Sequence, residues 1–249
     1  MPDDLEGFVR RAPPPAGWRV EYAPRVGSTN DLARAAALAG APDRTVFVAD
    51  FQTAGRGRQG RAWLAPPGFG LLFSTLFRPA SGDSVPLEYT MRAALALAEA
   101  AEALGLRPAI KWPNDLLLGD RKVAGILAES FASGQGRAVV VGCGVNVGAP
   151  PADLPPTATT LSAVAGRRLH RGRLLLAILR RLDGWLSSPP ADVRRAWRAR
   201  LWGRDQVVRA LEGGEPLVGT IADVADDGTL LLRLVDGTLR RLVSGELLP

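Results

Sequence analysis

Apolar and polar positions along this chain follow two different periods, and the switches between them outline the expected elements. Val20 to Val26, Thr45 to Phe51 and Gly70 to Phe77 are strand-length runs crowded with β-branched, aromatic and other apolar residues. Between the first two, Gly27-Ser-Thr-Asn30 supplies turn and N-cap residues ahead of Leu32 to Leu38, an alanine-rich stretch of high helix propensity. A long Ala/Leu helix is expected from Leu87 to Leu104. After Ile110-Lys-Trp112 come two short strands turning at Gly119-Asp120, then a third from Ala138 to Val147. Strands and helices interleave, which predicts an α+β (mixed α/β) fold with helices on one central mixed sheet.

The Pro-rich span Ala149 to Pro156 punctuates this pattern, and two Arg-rich helices follow, the first carrying Leu174, Leu175, Ile178, Leu179 and Leu182 at helical spacing. Near Trp202-Gly203 the period drops to two. The runs Val207 to Leu211, Leu217 to Val224, Thr229 to Val235 and Leu239 to Val243 are separated by Gly213-Gly214, Asp227-Gly228 and Asp236-Gly237, a hairpin series expected to curl into a small β-barrel. The expected organisation is a loose lead over residues 1–18 with Pro13-Pro-Pro15, a main domain over 19–202 and a small barrel over 203–249.

Composition narrows the class. With 47% hydrophobic and 22% charged residues in 249, the chain reads as a soluble globular protein. Its start has no basic segment followed by an apolar stretch, and no run of 18 apolar residues occurs, so a cytoplasmic protein without a membrane span is expected. Cys143 and His170, one of each type, leave no intrachain disulfide and no Cys/His metal site. The net charge of +6 raises nucleic-acid binding as a function class. Much of that excess lies between Arg167 and Arg209, where it suits a solvated helix face or a surface that steers an acidic partner.

Only two of the 31 basic residues are lysines, and both fall within Lys111-Trp-Pro-Asn-Asp115-Leu-Leu-Leu-Gly-Asp-Arg-Lys122. Arginine presents a planar bidentate fork, whereas lysine puts a compact charge at one point between neighbouring oxygens. Lys111 sits in an apolar run, so it should be buried beside a compensating anion. Lys122 fits either that logic or a plain hairpin surface. The loop Gly55-Arg-Gly-Arg-Gln-Gly-Arg-Ala-Trp63 combines backbone freedom, charge-assisted donors and a stacking face, as an anion-binding loop needs. A flexible RNA-binding Arg/Gly segment has the same composition. Asn114-Asp115 suit a bound Mg²⁺ or nucleotide, or an ordinary Asx turn. Two glycines inside the strand Val141-Gly-Cys-Gly-Val-Asn146 mark close approach of a ligand or another backbone, with Cys143 a small buried residue rather than a nucleophile.

Together, Gly27-Ser-Thr-Asn30, Gln52 with Gly55-Arg-Gly-Arg58, Lys111-Trp-Pro-Asn-Asp115, Lys122-Val-Ala-Gly-Ile-Leu127 and Gly142-Cys-Gly-Val-Asn146 occur in the order and spacing of a biotin protein ligase. The resemblance runs from about residue 20 to the C-terminal barrel. It implies a class II synthetase-like sheet of the kind shared by biotin and lipoate ligases, and an SH3-like terminal barrel. Fewer than thirty residues precede the first motif, so the chain resembles the monofunctional class, without the winged helix-turn-helix of members that also repress transcription. Operator DNA is then not an expected partner.

The resemblance further implies that biotin and MgATP give biotinyl-5′-AMP, and that a lysine of a biotin carboxyl carrier protein, an acetyl-CoA carboxylase subunit, takes the biotin. On that basis Ser28, Thr29, Asn30, Gln52, Arg56, Gly57, Arg58 and Lys111 would bind biotin, with Lys111 and Arg58 catalytic. Arg61, Trp63, Asn114, Asp115, Lys122 and Asn146 would bind ATP, with Asp115 toward Mg²⁺. A sheet edge offers a route to a homodimer. The rival readings are a lipoate ligase or octanoyltransferase of the same superfamily and, from another class, a nucleic-acid-binding module.

Overall fold

A computed structural model of the chain describes residues 3–79 and 86–248. Its main sheet has seven strands: β1 (Arg19–Val26), β2 (Thr45–Gln52), β3 (Gly70–Phe77), β4 (Pro108–Lys111), β5 (Asp115–Leu118), β6 (Arg121–Ser133) and β7 (Gly136–Asn146). The spatial order is β1-β2-β3-β7-β6-β5-β4, with β1 and β2 parallel and every other neighbour antiparallel. All eight residues of β3 are buried, which is why its sequence is almost continuously apolar rather than alternating.

Helices cover both faces. The crossover from β1 to β2 is α2 (Thr29–Leu38), capped by the Ser28 side chain, and its alanines pack with Phe47, Leu76, Ala138 and Val140. On the other face lies α3 (Pro86–Glu102), whose Ala93, Ala94, Ala96, Ala98, Ala100 and Ala101 are buried. Small side chains let it sit close to the sheet and to α5 (Arg171–Leu186) and α6 (Pro190–Ala199), which close the core around the fully buried Trp197. The apolar stripe of α5 that sequence spacing predicts, Leu174, Leu175, Ile178, Leu179 and Leu182, is buried as a unit. The short α4 (Leu161–Ala165) completes this layer.

The C-terminal strands β8 (Val207–Glu212), β9 (Glu215–Val224), β10 (Leu230–Leu234), β11 (Leu239–Leu242) and β12 (Glu246–Leu248) make a second, antiparallel sheet in the order β11-β10-β9-β8-β12. Contacts on several sides fasten it to the main body. The Trp112 indole N–H donates to Gly228 O at 2.9 Å, and Leu87 fills the space where a side chain on Gly228 would stand. Arg198 bonds Val224 O at 2.6 Å and Asp226 at 2.7 Å. Part of the Arg-rich helix charge is therefore spent between elements rather than on solvent.

The expected loose lead is corrected by the structure. Asp4 caps α1 (Leu5–Arg11), accepting from Gly7 N at 2.8 Å, and Leu5 is only 1% exposed. Just before it, Asp3 accepts from Arg171 Nε at 2.6 Å, and the same guanidinium reaches Asp50 at 2.6 Å. Phe8 packs on Gly172, where no side chain intervenes. These contacts join residues more than a hundred positions apart, so no local period announces them.

Arg171 is 2% exposed and serves two carboxylates. Arg171→Met keeps its stem but leaves both without a shared cation, and urea denaturation should show a loss of about 3–5 kcal/mol. A loss below about 1 kcal/mol, the scale of surface ion pairs, would mean the lead contributes nothing through this pairing.

Candidate functional site

One cavity opens where the ends of β2, β4, β6 and β7 meet the second sheet, and its lining includes Ser28, Gln52, Arg58, Lys111, Asp115 and Glu246. β4 ends on Lys111, a cis Trp112–Pro113 peptide turns the chain, and β5 starts at Asp115 directly opposite Lys111. Asn114 is strapped to the next strand: its O accepts from Ile126 N at 3.0 Å and its Nδ2 donates to Ile126 O at 2.7 Å. Lys111, Asp115 and Lys122 thus issue from three consecutive antiparallel strands, β4, β5 and β6.

The Gly/Arg loop is a folded strap. Gly57 N donates to Arg61 O at 2.7 Å and Trp63 N to Gly55 O at 2.9 Å, while residues Arg58–Gly60 make one tight turn. A Cβ on Gly55 would stand 2.5 Å from Trp63 O, so glycine is required for this closure. Its arginines fan outward. Arg56 grips Asp31 with two bonds of 2.7 and 2.6 Å, Arg58 reaches Gly245 O at 3.3 Å, and Arg61 pairs with Glu246. The Trp63 ring lies on Gly125 and Gly144: side chains there would come within 2.9 and 2.3 Å of it. An absence of side chains on two paired strands makes the seat.

At the far end, Ser28, Thr29 and Asn30 are buried at the start of α2. The Thr29 N–H and hydroxyl both donate to Gln52 Oε1, at 2.7 and 2.8 Å. Ser74 Oγ lies 2.7 Å from Thr29 Oγ1 and 2.6 Å from Asn30 Oδ1, and Asn30 Nδ2 donates to Glu129 Oε2 at 2.6 Å. Asn30 occupies the space above Gly142 that a side chain would need.

Electrostatically the cavity is cationic and incompletely paired. Burial pushes the Lys111 ammonium below its ordinary pKa, against the opposing pull of Asp115 and Glu246. Burial likewise lowers that of Arg58. Among the described residues neither makes an ion pair with a carboxylate, whereas Lys122 meets Asp115 Oδ1 at 2.7 Å, a contact of ion-pair distance without hydrogen-bond alignment. The Arg61 guanidinium holds the Glu246 carboxyl below the usual range. Two half-buried cations lacking anions are what an anionic ligand would find here.

Every residue that the sequence reading places in the site lines this cavity except Asn146. That residue is buried, and its amide donates to Thr159 O at 3.1 Å, tying β7 to the 157–160 segment outside the cavity lining. Sequence reasoning missed Trp112, Gly245 and Glu246, which line the cavity, together with Ser74 and Glu129, which bond its lining. Glu246 is brought in by β12, a strand of three residues and too short for a period. Among the described residues no group of three or more His, Cys, Asp and Glu could hold a metal. No described helix is long and apolar enough to cross a membrane.

Cys143 is 5% exposed, and burial raises its thiol to about 12. Alkylation with iodoacetamide at about pH 8 should leave the native protein unmodified and label it only after unfolding, because the thiolate is the nucleophile. Rapid native labelling seen by mass spectrometry would contradict this burial.

Comparison with known proteins agrees with this geometry. Residues 22–146 match the biotin/lipoate A/B protein ligase family, and residues 205–247 match the biotin protein ligase C terminal domain. The chain is 39% identical to a biotin–[acetyl-CoA-carboxylase] ligase of Paracoccus denitrificans, over 84% of this chain and 92% of that protein. It is 32% identical to the bifunctional ligase/repressor BirA of Bacillus subtilis, over 93% and 74% respectively. The solved biotin protein ligase from Aquifex aeolicus in complex with biotin and ATP superposes with a TM-score of 0.77 at 28% identity, covering 92% of this chain and 97% of that one.

Proposed function

This chain belongs to the biotin/lipoate A/B protein ligase family, and on that footing we propose that it activates biotin with ATP and transfers it to a lysine of a biotin carboxyl carrier protein. The observation that carries the reading is the pair of half-buried cations that line the cavity and, among the described residues, make no carboxylate ion pair, Lys111 and Arg58. In the first step a biotin carboxylate oxygen attacks the α-phosphorus of ATP, the bond to the β-phosphate breaks and pyrophosphate leaves. Two anions must be brought together for that. A fixed ammonium and guanidinium offset their repulsion and favour the charge of the transition state. In the second step the carrier amine attacks the acyl carbon of biotinyl-5′-AMP, loses a proton, and AMP departs as the amide forms. No protein nucleophile is needed, which suits the buried Cys143.

Ser28, Thr29, Asn30 and Gln52 form a compact polar wall suited to the ureido head of biotin, and Arg56, Gly57 and Arg58 close over it. Arg61, Trp63, Asn114, Asp115 and Lys122 line the part of the cavity left for the nucleotide. Asp115 suits a magnesium ion that arrives with the triphosphate, since Mg²⁺ commonly takes one carboxylate and completes its shell from phosphate and water. The ion would neutralise phosphate charge. We also propose a cytoplasmic location.

The lipoate reading is not favoured, because the relatives and the C-terminal match are biotin ligases. The nucleic-acid reading loses its main support, because the Gly/Arg loop is a closed strap with arginines bonded to Asp31, Gly245 and Glu246.

Calorimetry with biotin, then MgATP, using lipoate as control, should give biotin-selective binding and ATP-dependent pyrophosphate release. Lys111→Arg should fold with an unchanged melting temperature yet form biotinyl-5′-AMP about 100- to 1000-fold more slowly, because a planar fork cannot occupy the single point between carboxylate and phosphate. Undiminished pyrophosphate release by this variant would remove Lys111 from the chemistry.

A further inference from the structure

Glu129 stands on β6 outside the residues that any motif singles out, yet its carboxylate is bonded to the polar wall of the cavity. We propose that Glu129 is a positioning residue for the biotin head group: it fixes which way the Asn30 carboxamide faces and thereby sets the proton order of the wall. The inference rests on the biotin reading of this cavity.

The argument is one of donors and acceptors. An ionised carboxylate only accepts, so at 2.6 Å from Asn30 it demands the amide nitrogen. The amide oxygen must then face Ser74, 2.6 Å away, where it accepts. At the other end of the wall the Thr29 backbone N–H, which only donates, holds Gln52 Oε1 at 2.7 Å. Between these two fixed acceptors lie three oxygen-to-oxygen contacts, Asn30–Ser74, Ser74–Thr29 and Thr29–Gln52, at 2.6, 2.7 and 2.8 Å. Only the hydroxyls of Ser74 and Thr29 supply protons to them, two protons for three contacts, so both are drawn into the wall and one contact is left without a proton. The hydroxyl of Thr29 then offers the cavity a lone pair, and Gln52 turns its amino group away from Thr29. A wall with that order accepts from ligand N–H groups and donates to a ligand carbonyl, which is the pattern of a ureido ring. Without Glu129 the Asn30 nitrogen keeps only its longer bond to Leu127 O at 3.4 Å, so the hold on its orientation weakens and with it the order of the wall.

Glu129 also lies near enough to Arg56 to favour its charged form, so hydrogen bonding and charge must be separated. Glu129→Gln removes the charge and keeps an oxygen that accepts from Asn30; Glu129→Ala removes both. Biotin affinity by calorimetry and steady-state KM for biotin and for ATP are measured on wild type and both variants. In Glu129→Ala, biotin binding should weaken by about tenfold or more, the scale of a lost hydrogen bond to a charged group, while KM for ATP stays within about twofold. Glu129→Gln should recover most of the biotin affinity, and Ser74→Ala should weaken biotin selectively as Glu129→Ala does. The proposal is overturned if Glu129→Ala binds biotin like wild type, if biotin and ATP weaken in equal proportion, or if Glu129→Gln is no better than alanine, which would assign the effect to charge at Arg56. Wild-type protein that does not bind biotin would instead sink the ligase reading itself, so the two failures are distinguishable.

Discussion

The site depends on the register between β6 and β7, which pair over ten residues from Ala124–Val145 to Ser133–Gly136. That register sets Gly125 against Gly144 and Leu127 against Gly142, so one face of two adjacent strands is nearly stripped of side chains. β3 adds Ser74 directly opposite Gly142. Farther along the same face α2 packs on Val140 and Ala138, then Asn30 on Gly142, then the Trp63 ring on Gly144 and Gly125. A slip of one residue in either strand would turn its glycines to the core face and put the Ile126 or Cys143 side chain beneath Asn30 and Trp63. Seating of the loop, orientation of Asn30 and access to the buried hydroxyls are all consequences of this one pairing.

A second constraint is electrostatic. Half-burying Lys111 and Arg58 without carboxylate ion pairs among the described residues opposes folding, since the long Arg58 bond to Gly245 O and the Trp202 ring beside Lys111 replace only part of the lost hydration. Among the described cations that line the cavity, this is confined to two. The other cations around the cavity are answered, Arg56 by Asp31, Arg61 by Glu246 and Lys122 by Asp115. The ligand anions meet cations already desolvated and fixed, and stabilisation by fixed charge in a shielded site is what adenylation without a protein nucleophile requires.

The strands, the two long helices and the β-rich C-terminal part were legible because each has a local period: β3 runs Gly70–Phe77 as its apolar stretch indicates, and α3 differs from the reading by a residue or two at each end. The cavity residues were legible for a different reason, as short motifs whose types and spacing match a known family. What stayed hidden is long-range. α1 is held by an ion pair between Asp3 and Arg171, β12 by pairing with β8, and Ser74 and Glu129 by bonds to Asn30, 44 and 99 positions away. Asn146 sits within a motif, yet its amide bonds the neighbouring 157–160 segment, a partner its spacing does not announce.

The second sheet belongs to the site in a physical sense. Gly245 and Glu246 meet the arginines of the strap, and the sheet that carries them is held to the main body in part by Trp112 bonded to Gly228 O and Leu87 packed on Gly228. Trp112 follows Lys111 in the chain, so the residue that anchors the second sheet and the residue with the unpaired ammonium share one turn. Displacing the sheet would therefore shift Lys111 and also release Arg58 and Arg61 into water, where their attraction for an anion falls with the higher dielectric. The small domain thus strengthens the charges of the larger one by excluding solvent from them, without supplying a cation of its own to the cavity lining.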